Sequence, residues 1–203
     1  MKRLLTLFLV LWCSTAWAVE PINLVRGFNP YVAGAGVAGG CNVATEYVGT
    51  KDISGSYRTV GKDVVYCYVT TASCSGALNT AYIRNTYAAE YTAKVCLYVY
   101  DGDAPDAGDT KIGCSSAISG STANQWDSAA MDGGTVVSGT SYFICVAVDN
   151  DSANTVDIDV SGTDITLYYR SLSGFYDTPP ANLGGIPNNI TDKQLSIYIS
   201  IGE

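Results

Sequence analysis

The chain has 203 residues, no histidine and a net charge of −8, from 19 acidic and 11 basic residues. Without histidine there is no Ser–His–Asp or Cys–His arrangement, and the side chain most used for acid–base work near neutral pH is missing. The acidic balance, with no basic cluster to offset it, argues against binding to nucleic acid phosphates or anionic lipid headgroups.

The first eighteen residues read as a signal peptide. Lys2 and Arg3 form a basic start, Leu4 to Trp12 an apolar run, and Ala16-Trp17-Ala18 a small-residue cleavage site, with the cut expected after Ala18. The apolar run is shorter than the roughly 20 residues needed to span a bilayer, so no membrane insertion is expected after cleavage. A lipid anchor on Cys13 is disfavoured because the bulky Trp12 precedes it. The expected location is secreted or at the cell surface, with the periplasm as an alternative, and the leader has a bacterial look. Loss of Lys2 and Arg3 leaves 9 basic against 19 acidic residues, a net charge of −10.

Residues 19–40 form a Gly/Ala-rich N-terminal arm, with the small-residue run Tyr31 to Gly40. The arm reads as a linker, or as a strand donated to this sheet or to a neighbour's. From residue 41 to 203, short runs rich in Val, Ile, Tyr and Thr alternate with Gly, Asp, Asn and Ser. The expected strands are Asp63–Thr70, Thr80–Asn85, Ala93–Tyr100, Thr110–Ile118, Ser141–Asp149, Val156–Val160, Asp164–Arg170 and Gln194–Ile201. A long loop, Ser171–Thr191, carries Pro179, Pro180 and Pro187. Alternation places Val95, Leu97 and Val99 on a core face and Cys96, Tyr98 and Tyr100 on the other, while Tyr142, Ile144, Val146 and Val148 share a face. Many short strands in one domain predict an all-β, two-sheet antiparallel β-sandwich of jelly-roll type, stapled by disulfides.

Once Cys13 leaves with the leader, Cys41, Cys67, Cys74, Cys96, Cys114 and Cys145 remain. An even number in an exported chain predicts disulfides, and scattered thiols without histidine do not suit zinc. Cys67 and Cys74 are expected to close a hairpin, and Cys96 and Cys114 to face each other across a loop. That leaves Cys41 with Cys145, while Cys96 with Cys145 is a rival pairing.

Three features carry possible chemistry. Catalysis by paired carboxylates has little to draw on, because the glutamates are Glu20, Glu46, Glu90 and Glu203 and no spacing pairs them, so no enzyme is expected. The loop carrying Asp101, Asp103, Asp106 and Asp109 has four carboxylates within nine residues and is a candidate Ca2+ site, although Asp, Gly and Pro also serve an ordinary solvated hairpin tip. Trp126, Tyr168, Tyr169 and Tyr176, with Phe175 beside them, are candidates for stacking on sugar rings; cross-strand packing is the competing reading.

The segment Lys94 to Pro105 resembles bacterial secreted and cell-surface jelly-roll modules, in which a strand ending in Tyr-Asp leads into a Gly-Asp-Pro loop. Gln125-Trp126, the run Val137 to Asp149 and the closing strand Leu195–Ile201 follow in matching order, so the likeness spans Thr45 to Ile201. It implies a sandwich similar to carbohydrate-binding and galactose-binding-like domains, with no binding residue fixed enough to carry over. The expected function is that of a non-enzymatic adhesion or glycan-binding module that holds a glycan or cell-surface polymer. The alternative is a structural subunit of a surface layer or fibre, assembling with copies of itself through the arm.

Overall fold

A computed structural model describes Cys41 and residues 45–53, 55–149, 151, 152, 154 and 156–202; the expected signal peptide (1–18) and arm (19–40) lie outside the described residues. The strands are β1 (Tyr47–Gly49), β2 (Ser56–Val60), β3 (Val64–Thr71), β4 (Gly76–Asn85), β5 (Tyr91–Val99), β6 (Lys111–Cys114), β7 (Ile118–Gly120), β8 (Gln125–Ala130), β9 (Thr135–Val136), β10 (Ser141–Val148), β11 (Val156–Ser171), β12 (Asn188–Leu195) and β13 (Ile197–Gly202). Among the described residues no helix is long and apolar enough to cross a membrane.

The strands form a two-sheet antiparallel β-sandwich, as the sequence predicts. In the first sheet the order is β12, the C-terminal half of β11, β3, β10 and β5, with β6 and β7 following one another along β5. In the second the order is β1, β13, β4 and β8, with β9 also on β4. The two expected strands at Val156–Val160 and Asp164–Arg170 are one strand, β11, whose pairing with β12 shifts register between Val160 and Asp164. Its N-terminal half pairs with β2 and touches β4 through Ile158 and Asn85, so the strand passes from one sheet to the other. The proline-containing loop is shorter than expected because β12 already begins at Asn188.

The core lies between the sheets. Ile144, Val146, Val95, Leu97 and Leu167 face it from the first sheet, and Val48, Ile83, Ile197 and Ile199 from the second. Each such side chain contributes about 1.5–3 kcal/mol when fully buried. Tyr68 spans the gap: it is fully buried, and its hydroxyl donates to the carbonyls of Leu195 and Ile197 at 3.0 and 3.1 Å, at the break between β12 and β13. Tyr142, Ile144, Val146 and Val148 share the core as expected. Val99, at its strand end, is exposed.

The first sheet is buried on its outer face too. Cys67, Cys96, Cys145, Tyr98 and Phe143 form a second apolar cluster there, closed by Phe175, Leu183 and Ile186 from the segment between β11 and β12. Central strands covered on both sides read as nearly continuous apolar runs, and SYFICVAV in β10 is such a run.

The disulfides are Cys41–Cys74, Cys67–Cys145 and Cys96–Cys114. The expected Cys96–Cys114 pair is present. The expected Cys67–Cys74 and Cys41–Cys145 pairs are not, because β3 and β4 form no hairpin: they belong to different sheets, and the chain crosses the sandwich between them. Cys67 instead sits directly opposite Cys145 in the β3–β10 register, and Cys145 directly opposite Cys96 in the β10–β5 register. Cα separations of 4.1 Å for Cys67–Cys145 and 4.0 Å for Cys96–Cys114 belong to close, non-hydrogen-bonded strand pairs. Because site types alternate across a central antiparallel strand, Cys145 and Cys96 then meet at the wider hydrogen-bonded site. The rival Cys96–Cys145 pairing therefore gives way to bonds on either side.

Two outcomes test this arrangement. Non-reducing peptide mapping should yield the 67–145, 96–114 and 41–74 cross-links. Replacing Cys67 and Cys145 together by Ala should lower stability by about 2–5 kcal/mol in urea unfolding, since that bond joins residues 78 apart. A second test uses Tyr68, Tyr91 and Tyr98, whose phenols burial pushes well above their ordinary value, with Asp127 adding to the effect at Tyr91. Above pH ~10 the unfolded chain releases these protons while the folded chain holds them. The associated stability is whole below that pH and is lost progressively as the pH rises beyond it towards the raised values of the folded chain. Phenolate absorbance should therefore show an early phase from exposed tyrosines and a later, cooperative phase coincident with loss of the β-sheet circular dichroism.

Candidate functional site

On the outer face of the second sheet, aromatic side chains meet. In β13 the alternation Ile197-Tyr198-Ile199 turns Tyr198 away from the core, and Ala81-Tyr82-Ile83 in β4 does the same for Tyr82. These two tyrosines are directly opposite in the register, and their rings stack with centroids 4.4 Å apart and 10° between planes. Trp126, opposite Arg84 on the next strand, reaches Tyr198 edge-on, at 5.0 Å and 74°. From the other side Tyr47 approaches Tyr198 at 5.8 Å and 67°. The Lys51 ammonium lies 4.4 Å from the Tyr47 ring centroid and 4.6 Å from that of Tyr198.

Gly49 makes the junction between β1 and β13 possible. It sits opposite Tyr198 at φ +114°, where a Cβ would be 2.2 Å from the Ile197 carbonyl oxygen and 2.7 Å from the Tyr198 Cα. Tyr47, Tyr82, Trp126 and Tyr198 are all half-buried, with part of each open to solvent. Burial, with Tyr82 adding to it, pushes the Tyr198 phenol up to about 12, so it is a neutral hydrogen-bonding group at any physiological pH. Burial also lowers the Lys51 ammonium, against an opposing pull from Glu46. The result is an aromatic ridge with cations beside it: Lys51 at one end and Arg84 on the strand next to Trp126.

Of the candidate aromatic residues, the structure places only Trp126 on this ridge. Tyr168 and Tyr169 are consecutive in β11 and point to opposite faces of the first sheet. Tyr168 packs edge-on against Phe143 at 5.8 Å, and Tyr169 stacks on Tyr66 at 5.6 Å. Phe175 is a buried member of the outer apolar cluster. Tyr176 lies under Lys94, whose ammonium is 4.8 Å from the ring and donates to the Tyr176 carbonyl at 2.8 Å. Sequence reasoning missed Tyr47, Tyr82 and Tyr198. A signal was present, since Tyr82 and Tyr198 each stand between two aliphatic residues in a strand. What it lacked was the pairing of β4 with β13.

The acidic loop joins β5 to β6. The carboxylates of Asp101, Asp106 and Asp109 offer oxygens that all lie within 4.8 Å of one another. Asp103 is exposed and outside that group, and the neighbouring Asp101 charge is the main cause that raises its pKa. Asp109 is fully buried; its Oδ2 accepts the Asp106 N–H at 2.7 Å. The loop is docked along the segment between β11 and β12: Leu183 N–H donates to the Asp109 carbonyl at 3.1 Å, Gly184 N–H to that of Asp106 at 2.9 Å, and the Asn182 amide to that of Ala107. At the β5–β7 end a polar cleft of ≈ 450 Å³ is lined by Glu90, Asp149 and Asp151 with Ser119 and Ser121.

No family model matches the chain, and no curated protein matches it.

Proposed function

We propose that this is a secreted, non-enzymatic glycan-binding module of a cell surface, akin to the bacterial jelly-roll modules that its Lys94 to Pro105 segment resembles, and that it holds sugar at the aromatic ridge of the second sheet. The observation that carries this reading is the meeting of Tyr47, Tyr82, Trp126 and Tyr198 on one sheet face, partly open to solvent. Such rings offer apolar faces and edges to the C–H groups of a pyranose, and phenol hydroxyls and adjacent cations offer partners for its hydroxyls. Support for export comes from three disulfides, which persist in oxidising compartments, and from the leader-like start. The lack of histidine and of any nucleophile–base pair in the sequence favours binding over turnover.

After removal of residues 1–18, Trp126 is the one remaining tryptophan, so its fluorescence reports directly on the ridge. Titration with oligosaccharides chosen from a glycan array should shift that emission and saturate. Tyr82→Ala should weaken binding by about 10-fold, the loss expected for one stacking contact of about 1.4 kcal/mol. Trp126→Ala, read by calorimetry, should weaken it by at least as much. An array without hits, or array binding that survives both substitutions, refutes the assignment.

A further inference from the structure

We propose that Asp101, Asp106 and Asp109 bind one Ca2+ ion, which clamps the β5–β6 loop onto the segment between β11 and β12. The proposal is independent of sugar binding and concerns the other sheet. It begins with Asp109, which is 0% exposed, yet its Oδ1 is buried without a hydrogen-bond partner. A buried, unpartnered carboxylate oxygen is costly, and a solvated turn gives no reason to bury one. That carboxylate belongs to a group of three whose oxygens lie within 4.8 Å of one another.

A second observation marks the same point. A Cβ built on Gly108 would lie 2.8 Å from Asp101 Oδ2 and 3.0 Å from Asp106 Oδ1, which accepts the Gly108 N–H, so the two carboxylates converge beside this glycine. A proton would neutralise one of the three charges and leave two like charges in contact. A divalent cation bridges all three.

The donor set selects the metal. All ligand atoms are carboxylate oxygens, with neither sulfur nor imidazole, which favours a hard cation. Ligand distances of 2.3–2.6 Å allow Ca2+ to join oxygens up to roughly 5 Å apart, whereas Mg2+ limits them to roughly 4.2 Å and demands near-ideal octahedral geometry. The main-chain carbonyls of Asp106, Ala107 and Asp109 already accept hydrogen bonds from Gly184, Asn182 and Leu183. The ion would hold the side chains of Asp106 and Asp109, whose backbone carbonyls anchor the covering segment. Leu183 and Ile186 on that segment close the apolar cluster over Cys67–Cys145 and Cys96–Cys114.

The test uses the full exported protein, stripped with a chelator, with thermal unfolding and native mass spectrometry as readouts. Extracellular Ca2+ sites bind at about 10⁻⁴–10⁻³ M, so about 10 mM CaCl2 saturates the site. Tm should then rise by roughly 3–8 °C with one Ca2+ bound per chain, and MgCl2 at the same concentration should give less than half that shift. Asp109→Asn should abolish the shift. So should Asp101→Asn with Asp106→Asn, two exposed positions, in a variant whose metal-free Tm should match that of the metal-free wild type. Asp103→Asn should retain it. Absence of any Ca2+-dependent shift or bound ion in the wild-type protein overturns the proposal. So does an equal response to Mg2+, loss of the shift in Asp103→Asn, or a shift that survives both sets of ligand substitutions.

Discussion

The register of β10 between β3 and β5 is the constraint on which the first sheet depends. Every residue of β10 after Ser141 is buried, on one face or the other. The pairing places Cys145 opposite both Cys67 and Cys96, and Ile144 opposite both Tyr68 and Leu97. A slip of one residue would turn the cysteines into the core and the aliphatic residues out of it, breaking two disulfides and the main apolar contact at once. Covalent bonds and hydrophobic burial thus specify the same register, and agreement between levels gives a single native state a wide energy gap.

The two outer faces of the sandwich have different fates for a related reason. Bonding Cys67 to Cys145 and Cys96 to Cys114 between neighbouring strands puts sulfur, Tyr98 and Phe143 on the outside of the first sheet. That surface is too apolar to leave in water, and Phe175, Leu183 and Ile186 cover it. The cover is itself held by polar contacts at its ends: Tyr98 donates to the Pro180 carbonyl at 3.2 Å, and Arg170 to that of Gly185 at 2.6 Å. The second sheet carries an aromatic ridge that stays partly open, with Lys51 and Arg84 beside it. One face is closed by a covering segment; the other leaves its rings partly open to solvent.

The acidic loop borders the closed face. It is an insertion between paired strands β5 and β6, and its backbone is tied to the covering segment rather than turned out into solvent. Asp109 is buried at that seam, with the Asp101 and Asp106 carboxylates close beside it. Stabilising the seam with a cation would make closure of the outer cluster sensitive to the Ca2+ concentration of the surrounding medium.

Much of the strand pattern was legible in the sequence, because alternation and β-branched residues act locally. SYFICVAVD, AKVCLYVY and DVVYCYVT announce β10, β5 and β3 within a residue or two of their ends. The oxidising setting was legible from six paired cysteines, and Asp101, Asp103, Asp106 and Asp109 were recognisable as a group because loop neighbours are also neighbours in space, although only Asp101, Asp106 and Asp109 converge. Partnership between distant segments was not legible. Cys67 lies seven residues from Cys74 and 78 from Cys145, yet it bonds to the latter, because β3 pairs with β10 and not with β4. Tyr82 and Tyr198 read as outward-facing side chains on separate strands, and only the pairing of β4 with β13 makes them one surface with Trp126. Local patterning determines which way a side chain points from its strand. Which strand lies beside it depends on how two sheets bury their faces together, and that is decided by the whole chain at once.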